Sequence, residues 1–147
     1  MTTVIIVGGG MAGVACASEL ADHDVDVTLF DRHDYTQFQP LLYQVASSQL
    51  PAEDIARPLA TAFANQRRVV TVTAEVTGID PATRTVLTRD GADGPTVDYT
   101  ADYLVIAAGS QANFFGVPGA AEHSYPLYTV EDARRLRQHL RDRLRRL

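Results

Sequence analysis

The alternation of apolar and polar segments in the first 31 residues predicts a β–α–β unit. Residues 3–7 (TVIIV) are all β-branched, which is typical of a strand buried on both faces of a parallel sheet. Residues 11–21 (MAGVACASELA) remain mostly small and apolar over about three helical turns and end at the polar segment DHD. Residues 25–30 predict a second strand, and Asp31 lies at its end.

The middle of the chain departs from this regular order. Residues 32–48 show no clean period, so we expect a long loop there. Residues 51–65 are predicted to be helical, with an interruption at Pro58. Three strand-like segments, joined by the turns DPAT and DGADGP, are predicted to form a small antiparallel meander: residues 68–79, 84–88 and 97–100.

The last part of the chain predicts one more strand and one amphipathic helix. Residues 102–109 (DYLVIAAG) indicate a buried strand that stops at a glycine. Thr129 and Asp132 then have capping-box spacing, which marks the start of a helix. One helical stripe of apolar residues follows: Ala133, Leu136, Leu140, Leu144 and Leu147. The whole order predicts an α/β fold in which a parallel sheet carries an inserted antiparallel β-meander.

Composition places the chain among globular proteins with one sizeable core. It has 147 residues, of which 46% are hydrophobic, and no apolar run reaches the roughly 18 residues that a membrane span requires. The single cysteine, Cys16, excludes an internal disulfide and fits a reducing compartment. No basic leader precedes the first strand, so we expect a cytoplasmic location.

The charge is unevenly distributed along the chain. All 13 positive residues are arginines, and seven of them follow residue 130 beside three acidic residues, so that segment carries +4. Residues 1–130 hold six arginines and fifteen acidic residues and carry −9, which excludes nucleic acid as a partner. The arginine-rich helix leaves three roles open: packing on the chain itself, binding at the inner face of the cell membrane, or self-association.

The stretch VIIVGGGMAG carries the candidate chemistry. Gly8, Gly10 and Gly13 satisfy G-x-G-x-x-G between a predicted strand and a predicted helix, and Asp31 ends the next strand. The first glycine permits a tight turn, the second leaves room for a diphosphate, and the third lets the helix approach the strand. Asp31 can accept hydrogen bonds from ribose hydroxyls, and its charge disfavours a 2′-phosphate. We therefore expect a Rossmann-like FAD/NAD(P)-binding domain.

The motif alone fits NAD and FAD equally well. The order of elements favours FAD, because a loop, a helix and a meander precede the next buried strand, as in flavoproteins that bind two dinucleotides. Arg32 follows the acid, and two roles stay open for it: a contact with the adenosine, or an ordinary solvated charge. A simple NAD-binding module stays the less favoured alternative.

The segment FQPLLYQVASSQLPAEDIARPL, residues 38–59, resembles the type II NADH dehydrogenases, the single-subunit FAD-containing NADH:quinone oxidoreductases. These belong to the pyridine nucleotide-disulfide oxidoreductase-like flavoproteins. The run QPLLYQVA carries most of the resemblance, and residues 113–140 also resemble the passage out of that family's FAD domain. The resemblance implies that residues 1–112 are the N-terminal FAD-binding portion and that residues 113–147 are a linker and an amphipathic helix.

The resemblance also implies roles for single residues. Asp31 would hold the adenosine ribose, and the backbone of Val76 would meet the adenine. Gln39 and Gln44 would lie along the isoalloxazine side, and Ala108 stands where the family usually has a threonine. The candidate cofactor-binding residues are Gly8, Gly9, Gly10, Met11, Ala12, Gly13, Asp31, Arg32, Gln39, Gln44, Val76, Ala108 and Gly109.

The implied reaction is hydride transfer from NADH to FAD, followed by electron delivery to a quinone. The family has a second G-x-G-x-x-G motif for NADH, and this sequence has one. NADH and quinone would therefore bind only if further segments complete the sites. The alternatives are a truncated module that at most binds a dinucleotide and a split enzyme completed by another chain. No catalytic acid or base is assigned, and the four histidines show no metal-ligand spacing.

Overall fold

The computed structural model of the protein describes residues 1–89 and 94–146. In chain order its strands are β1 (Thr2–Val7), β2 (Val25–Asp31), β3 (Tyr35–Gln37), β4 (Ala56–Pro58), β5 (Val69–Thr73), β6 (Glu75–Asp80), β7 (Thr85–Arg89), β8 (Thr96–Thr100) and β9 (Tyr103–Ile106). Its α-helices are α1 (Met11–Leu20), α2 (Leu42–Ala46), α3 (Leu59–Ala62), α4 (Ala120–His123) and α5 (Val130–Leu144). Short 3-10 turns cover Gln39–Leu41 and Ala52–Asp54.

The chain forms two compact units. The first comprises Met1–Thr36 and Pro58–Gly109, and the second comprises Gln37–Arg57 and Ser110–Leu147. The assignment of cofactor binding to residues 1–112 is a functional division and stays a prediction. The segment before Pro58 that carries most of the family resemblance lies in the second unit.

The first unit is built around a four-stranded sheet in the order β5-β2-β1-β9, in which all neighbours are parallel. Because side chains alternate across a strand, β1 sends apolar residues to both faces. Val4 and Ile6 belong to one core cluster with Ala17 of α1, and Ile5 and Val7 belong to another with residues of β2 and β7. The predicted β–α–β unit and its doubly buried first strand are confirmed.

The predicted meander needs one correction. Residues 68–79 do not form one strand of it, because the chain breaks at Ala74, whose N–H donates to the Asp31 carbonyl oxygen at 2.8 Å. The part before the break, β5, joins the parallel sheet, and only β6 pairs with β7 and β8 in the antiparallel meander. The predicted turn DGADGP falls largely on residues 90–93, which lie outside the described residues.

The strand β9 is less buried than its sequence predicts. Tyr103 and Ile106 are 62% and 58% exposed. Within the described residues β9 is hydrogen-bonded to β1 and to no other strand, so it is the edge of the sheet. An apolar run shows that a strand can be buried, but the number of its neighbours decides whether it is.

The prediction of a loop at residues 32–48 is wrong, and so is that of one helix at residues 51–65. The first segment contains β3, a 3-10 turn and α2, and the second contains a 3-10 turn, β4 and α3. Proline disfavours helical conformation in the residue before it, so Arg57 is extended and β4 pairs with β3. Helix α3 begins only after Pro58.

The second unit packs α2 against α5. Both helices bury apolar residues, Leu42 and Val45 on α2 and Val130 and Ala133 on α5. The predicted start of α5 is confirmed, since Thr129 and Asp132 form a complete capping box. The apolar stripe of α5 becomes exposed towards its end, where Leu140 is 42% and Leu144 is 68% exposed. Its last predicted member, Leu147, lies outside the described residues.

Candidate functional site

The turn between β1 and α1 requires glycine at its first position. Gly8 has φ of +109°, a region that residues with a Cβ rarely adopt. A Cβ on Gly8 would collide with the carbonyl oxygen of Ala107 and would lie 2.7 Å from its carbon. The N–H of Gly8 donates to the Phe30 carbonyl oxygen at 2.8 Å. The turn is therefore held tightly between β2 and the end of β9.

Gly13 has a packing role as well. A Cβ on this residue would collide with the carbonyl oxygen of Gly8 and would lie 3.0 Å from its carbon. The first turn of α1 therefore rests directly on the end of β1. This is the helix–strand approach that the third glycine of the motif was expected to permit.

Gly10 differs from both, because a Cβ on it would meet no described atom within 4 Å. Packing within the chain therefore gives no reason for a glycine at this position. Gly10 is also the N-cap of α1 and provides no capping side chain. The first intrahelical bond runs from the Val14 N–H to the Gly10 carbonyl oxygen at 2.9 Å. The N–H groups of residues 11–13 thus lack an intrahelical acceptor, and together with the positive helix end they favour an anion.

Asp31 faces this turn from the end of β2. Its Oδ2 accepts a hydrogen bond from the Gly9 N–H at 2.6 Å, and its Oδ1 accepts one from the His33 N–H at 2.8 Å. The Nδ1 of His33 lies 3.4 Å from the same Oδ1. The carboxylate is mostly buried, with 18% of the side chain exposed. Since an ionised carboxylate offers about four acceptor positions, it keeps capacity for further donors.

The structure places the other candidate residues of the first unit as follows. Ala108 directly follows the carbonyl that abuts Gly8, and its nitrogen would lie 3.1 Å from a Cβ on that glycine. Gly109 has φ of +70° and open space around it. Arg32 is exposed, and Val76 packs on the core cluster that contains Phe30.

Gln39 and Gln44 belong to the second unit. The Nε2 of Gln39 donates to the Tyr128 carbonyl oxygen at 3.2 Å, and the Nε2 of Gln44 donates to the Tyr43 hydroxyl at 3.0 Å. Both amides thus have partners within their own unit. Within the first unit, the structure brings together the candidates of the glycine turn with Asp31 and Ala108.

Two neighbours of the turn and its acid were not among the candidate residues. His33 supports the carboxylate through its N–H and its ring. Leu59 lies against Gly9, with its Cδ1 2.8 Å from the position of a Cβ there. The spacing D-x-H was a weak signal for His33, because an aspartate often accepts the N–H two residues later. No local signal identifies Leu59, which comes from α3.

Residues 1–89 and 94–146 contain neither a metal-ligand cluster nor a membrane-spanning helix. No group of three or more His, Cys, Asp and Glu side chains is arranged to hold a metal ion. No α-helix in this part of the chain has the length and apolar character needed to cross a bilayer.

The sheet is parallel, a glycine turn follows its central strand β1, and an acid ends the neighbouring strand β2. These features together define a dinucleotide-binding fold of the Rossmann type. The profile of the family "Pyridine nucleotide-disulphide oxidoreductase" matches residues 2–147. The chain therefore belongs to the pyridine nucleotide-disulphide oxidoreductase family.

Two curated relatives are named as NADH- or NAD(P)H-dependent quinone oxidoreductases. The type II NADH:quinone oxidoreductase Ndh of Mycobacterium tuberculosis is 36% identical over 134 residues, which are 91% of this chain and 28% of that protein. The mitochondrial external alternative NAD(P)H-ubiquinone oxidoreductase B2 of Arabidopsis thaliana is 33% identical over 146 residues, 95% of this chain and 25% of that protein. The resemblance to type II NADH dehydrogenases is confirmed. The chain spans about a quarter of the length of these relatives.

Two solved structures are similar in fold to this chain over most of its length. The sulfide:quinone oxidoreductase of Aquifex aeolicus superposes with a TM-score of 0.84 at 30% identity, over 97% of this chain and 32% of that one. NDH2 of Plasmodium falciparum, solved in complex with NADH, also gives 0.84, at 25% identity, over 92% of this chain and 28% of that one. The predicted α/β class with a Rossmann-type sheet is confirmed.

Proposed function

We propose that this chain is the FAD-binding portion of an NADH dehydrogenase-like flavoprotein, and that the turn from Gly8 to Gly13 holds the cofactor's diphosphate. The observation that carries this proposal is the open space at Gly10, the one glycine of the motif for which the described residues supply no packing reason. A bound flavin would supply the redox chemistry, accepting a hydride and passing its electrons on.

The chain's own groups fit the ADP half of such a cofactor. The N–H groups of Met11, Ala12 and Gly13 stand at the positive end of α1, where phosphate oxygens are favoured. Asp31 has acceptor capacity left for ribose hydroxyls, and its negative charge disfavours a 2′-phosphate there. The fit therefore supports FAD or NAD over NADP, and the similarity to type II NADH dehydrogenases supports FAD.

The remaining candidates are proposed to act as follows. Ala108 and Gly109 would border the cofactor beside the glycine turn, where alanine offers no hydroxyl. Val76 would meet the adenine through its backbone, and Arg32 would approach the adenosine from its exposed position. Gln39 and Gln44 would lie on the flavin side. None of these residues is proposed to donate or accept a proton in the reaction.

In the complete family architecture, NADH would be the donor and a quinone the acceptor, and further segments would complete both sites. The names of the two curated relatives include both a nicotinamide nucleotide, NADH or NAD(P)H, and a quinone. The alternative stays open that the chain is a truncated or split, non-catalytic dinucleotide-binding module. Its support is that the sequence holds one G-x-G-x-x-G motif.

Titration of the purified chain with FAD, followed by the visible spectrum and by calorimetry, tests the cofactor proposal. Gly10→Val would fill the space above the turn, so we expect it to weaken FAD binding at least tenfold. Gly78→Ala is the matched control, since a Cβ there would make ordinary contact with Leu87 at 3.4 Å. The proposal is overturned if the wild-type chain binds no FAD, or if Gly10→Val binds it as well as the control does.

We further propose that residues 137–146, the second half of α5 and the two residues after it, contact an anionic membrane surface. Residues 130–136 hold two acidic residues and two arginines, whereas residues 137–146 hold five arginines and one aspartate, a net charge of +4. The arginines of the first half form ion pairs with Glu53, Glu131 and Asp132. Among the described residues, the five arginines of residues 137–146 form no ion pair within 4 Å, and exposed Leu140 and Leu144 lie between them.

Co-sedimentation with vesicles tests this second proposal. We expect binding to phosphatidylglycerol vesicles but not to phosphatidylcholine vesicles, and loss of binding in the variant Arg141→Gln/Arg145→Gln. Arg134→Gln/Arg135→Gln removes the same charge from the paired half and should retain most of the binding. Equal losses in the two variants would refute the proposal. So would leucine-driven self-association, seen by sedimentation velocity, without any vesicle binding.

A further inference from the structure

We propose that Gly9 positions Asp31 for the ribose, and that it thereby determines selectivity for a nucleotide with free ribose hydroxyls. The inference rests on the proposed function, since it concerns the acid that would hold the ribose. Gly9 stands at a variable position of G-x-G-x-x-G, so the motif itself gives no reason for a glycine there. The reason comes from its neighbours.

The carboxylate of Asp31 is held from two sides by main-chain donors. The Gly9 N–H binds one oxygen at 2.6 Å, and the His33 N–H binds the other at 2.8 Å. Two donors on different oxygens fix the plane of the carboxylate. Within the described residues, Oδ2 has the Gly9 N–H as its one donor and keeps a further acceptor position, so a ribose hydroxyl can bind there without reorienting the side chain. The shorter of the two bonds depends on close approach of the turn to β2.

Gly9 makes this close approach possible because it has no side chain. A Cβ on Gly9 would lie 3.2 Å from the Cβ and 3.3 Å from the Oδ2 of Asp31. It would also lie 2.8 Å from the Cδ1 of Leu59, which is 3% exposed in the core and cannot retreat freely. A methyl group would therefore be pressed against the carboxylate from the side on which the turn binds it.

The neighbours of Gly9 differ in kind from those of the other glycines of the turn. A Cβ on Gly8 or Gly13 would meet main-chain atoms, and one on Gly10 would meet nothing. For Gly9, the nearest atoms to the Cβ include those of the acid. Alanine at this position should therefore displace Asp31 and leave the space at Gly10 and the N–H groups of α1 available to the diphosphate.

Calorimetric titration of the full 147-residue chain with ADP and with 2′,3′-dideoxy-ADP separates these effects. We expect the wild type to bind ADP at least about tenfold more tightly than the dideoxy analogue, because hydrogen bonds to a charged acceptor are strong. Gly9→Ala should weaken ADP binding by about the same factor and leave the affinity for the analogue unchanged. Gly10→Ala, the matched control, should weaken both nucleotides equally.

A double-mutant cycle shows whether Gly9 acts through Asp31. In an Asp31→Ala background, Gly9→Ala should change ADP affinity less than twofold, since the acid that it positions is gone. Asp31→Asn, which keeps the side-chain shape, replaces Asp31→Ala if the latter does not fold. Additive losses in the cycle would overturn the inference.

Other outcomes separate this inference from the cofactor proposal. Equal weakening of both nucleotides by Gly9→Ala would show a purely structural role and overturn the inference alone. Equal affinity of the wild type for ADP and its analogue would do the same, because the cofactor proposal requires only that the dinucleotide binds. A wild-type chain that binds neither nucleotide nor FAD would overturn both.

Discussion

At the scale of single residues, chemically identical glycines have different reasons to be present. Gly8 and Gly13 are required by main-chain atoms that leave no room for a Cβ, whereas Gly10 borders open space. Gly9 lies against two side chains, one of which is the acid. A substitution at each position should therefore affect a different property, stability at the outer positions and ligand binding at the inner ones.

Gly13→Ala should destabilise the fold. Its methyl group would collide with the Gly8 carbonyl, and the helix would have to move away from β1 at a cost of about 1–3 kcal/mol or more. Urea denaturation followed by circular dichroism measures the free energy of unfolding. Gly10→Ala is the control and should cost less than about 1 kcal/mol. A Gly13→Ala protein with the wild-type midpoint would contradict the assigned packing role.

Asp102 should make stability depend on pH in the acid range. Hydrogen bonds from the Thr3 N–H and the Thr3 hydroxyl, at 2.8 and 2.9 Å, hold the pKa of Asp102 below its ordinary value of 3.8. Because the folded-state pKa is the lower one, this stabilisation is fully present well above pH 3.8. It is lost as the pH falls below that value and through the folded-state pKa.

Denaturant unfolding at several pH values, for the wild type and Asp102→Asn, measures this effect. The wild type should be the more stable protein near neutral pH, and the difference should shrink as the pH falls below the ordinary value of 3.8. Asp98→Asn removes a carboxylate from the exposed strand β8 and is the control. A difference between wild type and Asp102→Asn that stays constant with pH would contradict the assignment.

At the scale of elements, the start of α5 is fixed by side chains from two parts of the second unit. Thr129 and Asp132 cap the helix reciprocally. The side-chain amide of Gln37 donates to the Tyr128 carbonyl oxygen at 2.7 Å and accepts from the Val130 N–H at 3.0 Å. The capping box is local and was predictable, whereas the contact of Gln37 joins residues far apart in sequence and was not.

Thr129→Ala should therefore destabilise α5 measurably. The loss of the bond from the Asp132 N–H to the Thr129 hydroxyl, 3.1 Å long, should lower the free energy of unfolding by about 1 kcal/mol. Thermal or urea unfolding followed by far-ultraviolet circular dichroism gives the value. Thr129→Ser keeps the hydroxyl and should behave like the wild type. An equal loss in both variants would show that the methyl group, not the cap, carries the effect.

At the scale of the whole molecule, the proposed function distinguishes binding of a dinucleotide from turnover of NADH. Hydride transfer requires the two reacting atoms to be held about 3–3.5 Å apart, so donor and acceptor must both be bound. The sequence holds a single G-x-G-x-x-G motif, and the chain spans 28% of the length of its Mycobacterium tuberculosis relative. The proposed binding of a dinucleotide is therefore tested separately from turnover of NADH.

We expect the purified, FAD-loaded chain to oxidise NADH at a negligible rate. Anaerobic addition of NADH, with the flavin absorbance recorded over time, measures this directly. The full-length Mycobacterium tuberculosis relative, treated in the same way, is the positive control and should bleach. Rapid bleaching of the 147-residue chain would show that it builds both sites and would contradict the expectation.

The predictable parts of the fold and of the candidate site are those encoded by neighbouring residues. The strand, glycine turn and helix follow one another within a few residues, and Asp31 is located by the end of the next apolar run. Residues 32–48, which show no clean period, and residues 51–65, which are interrupted at Pro58, were predicted wrongly. The strands in them, β3 and β4, pair with each other across the sequence, and no local pattern shows this pairing.

The sequence by itself determined the β–α–β unit, the glycine motif, its acid and the capped final helix, because each depends on spacing along one stretch of chain. The tertiary structure alone decided which glycine serves which purpose. The carbonyl of Ala107 meets Gly8, and Leu59 and Asp31 meet Gly9, only after distant segments have packed together. Contacts of this kind leave no periodic trace in a sequence, since their distances are set by folding and not by the order of residues.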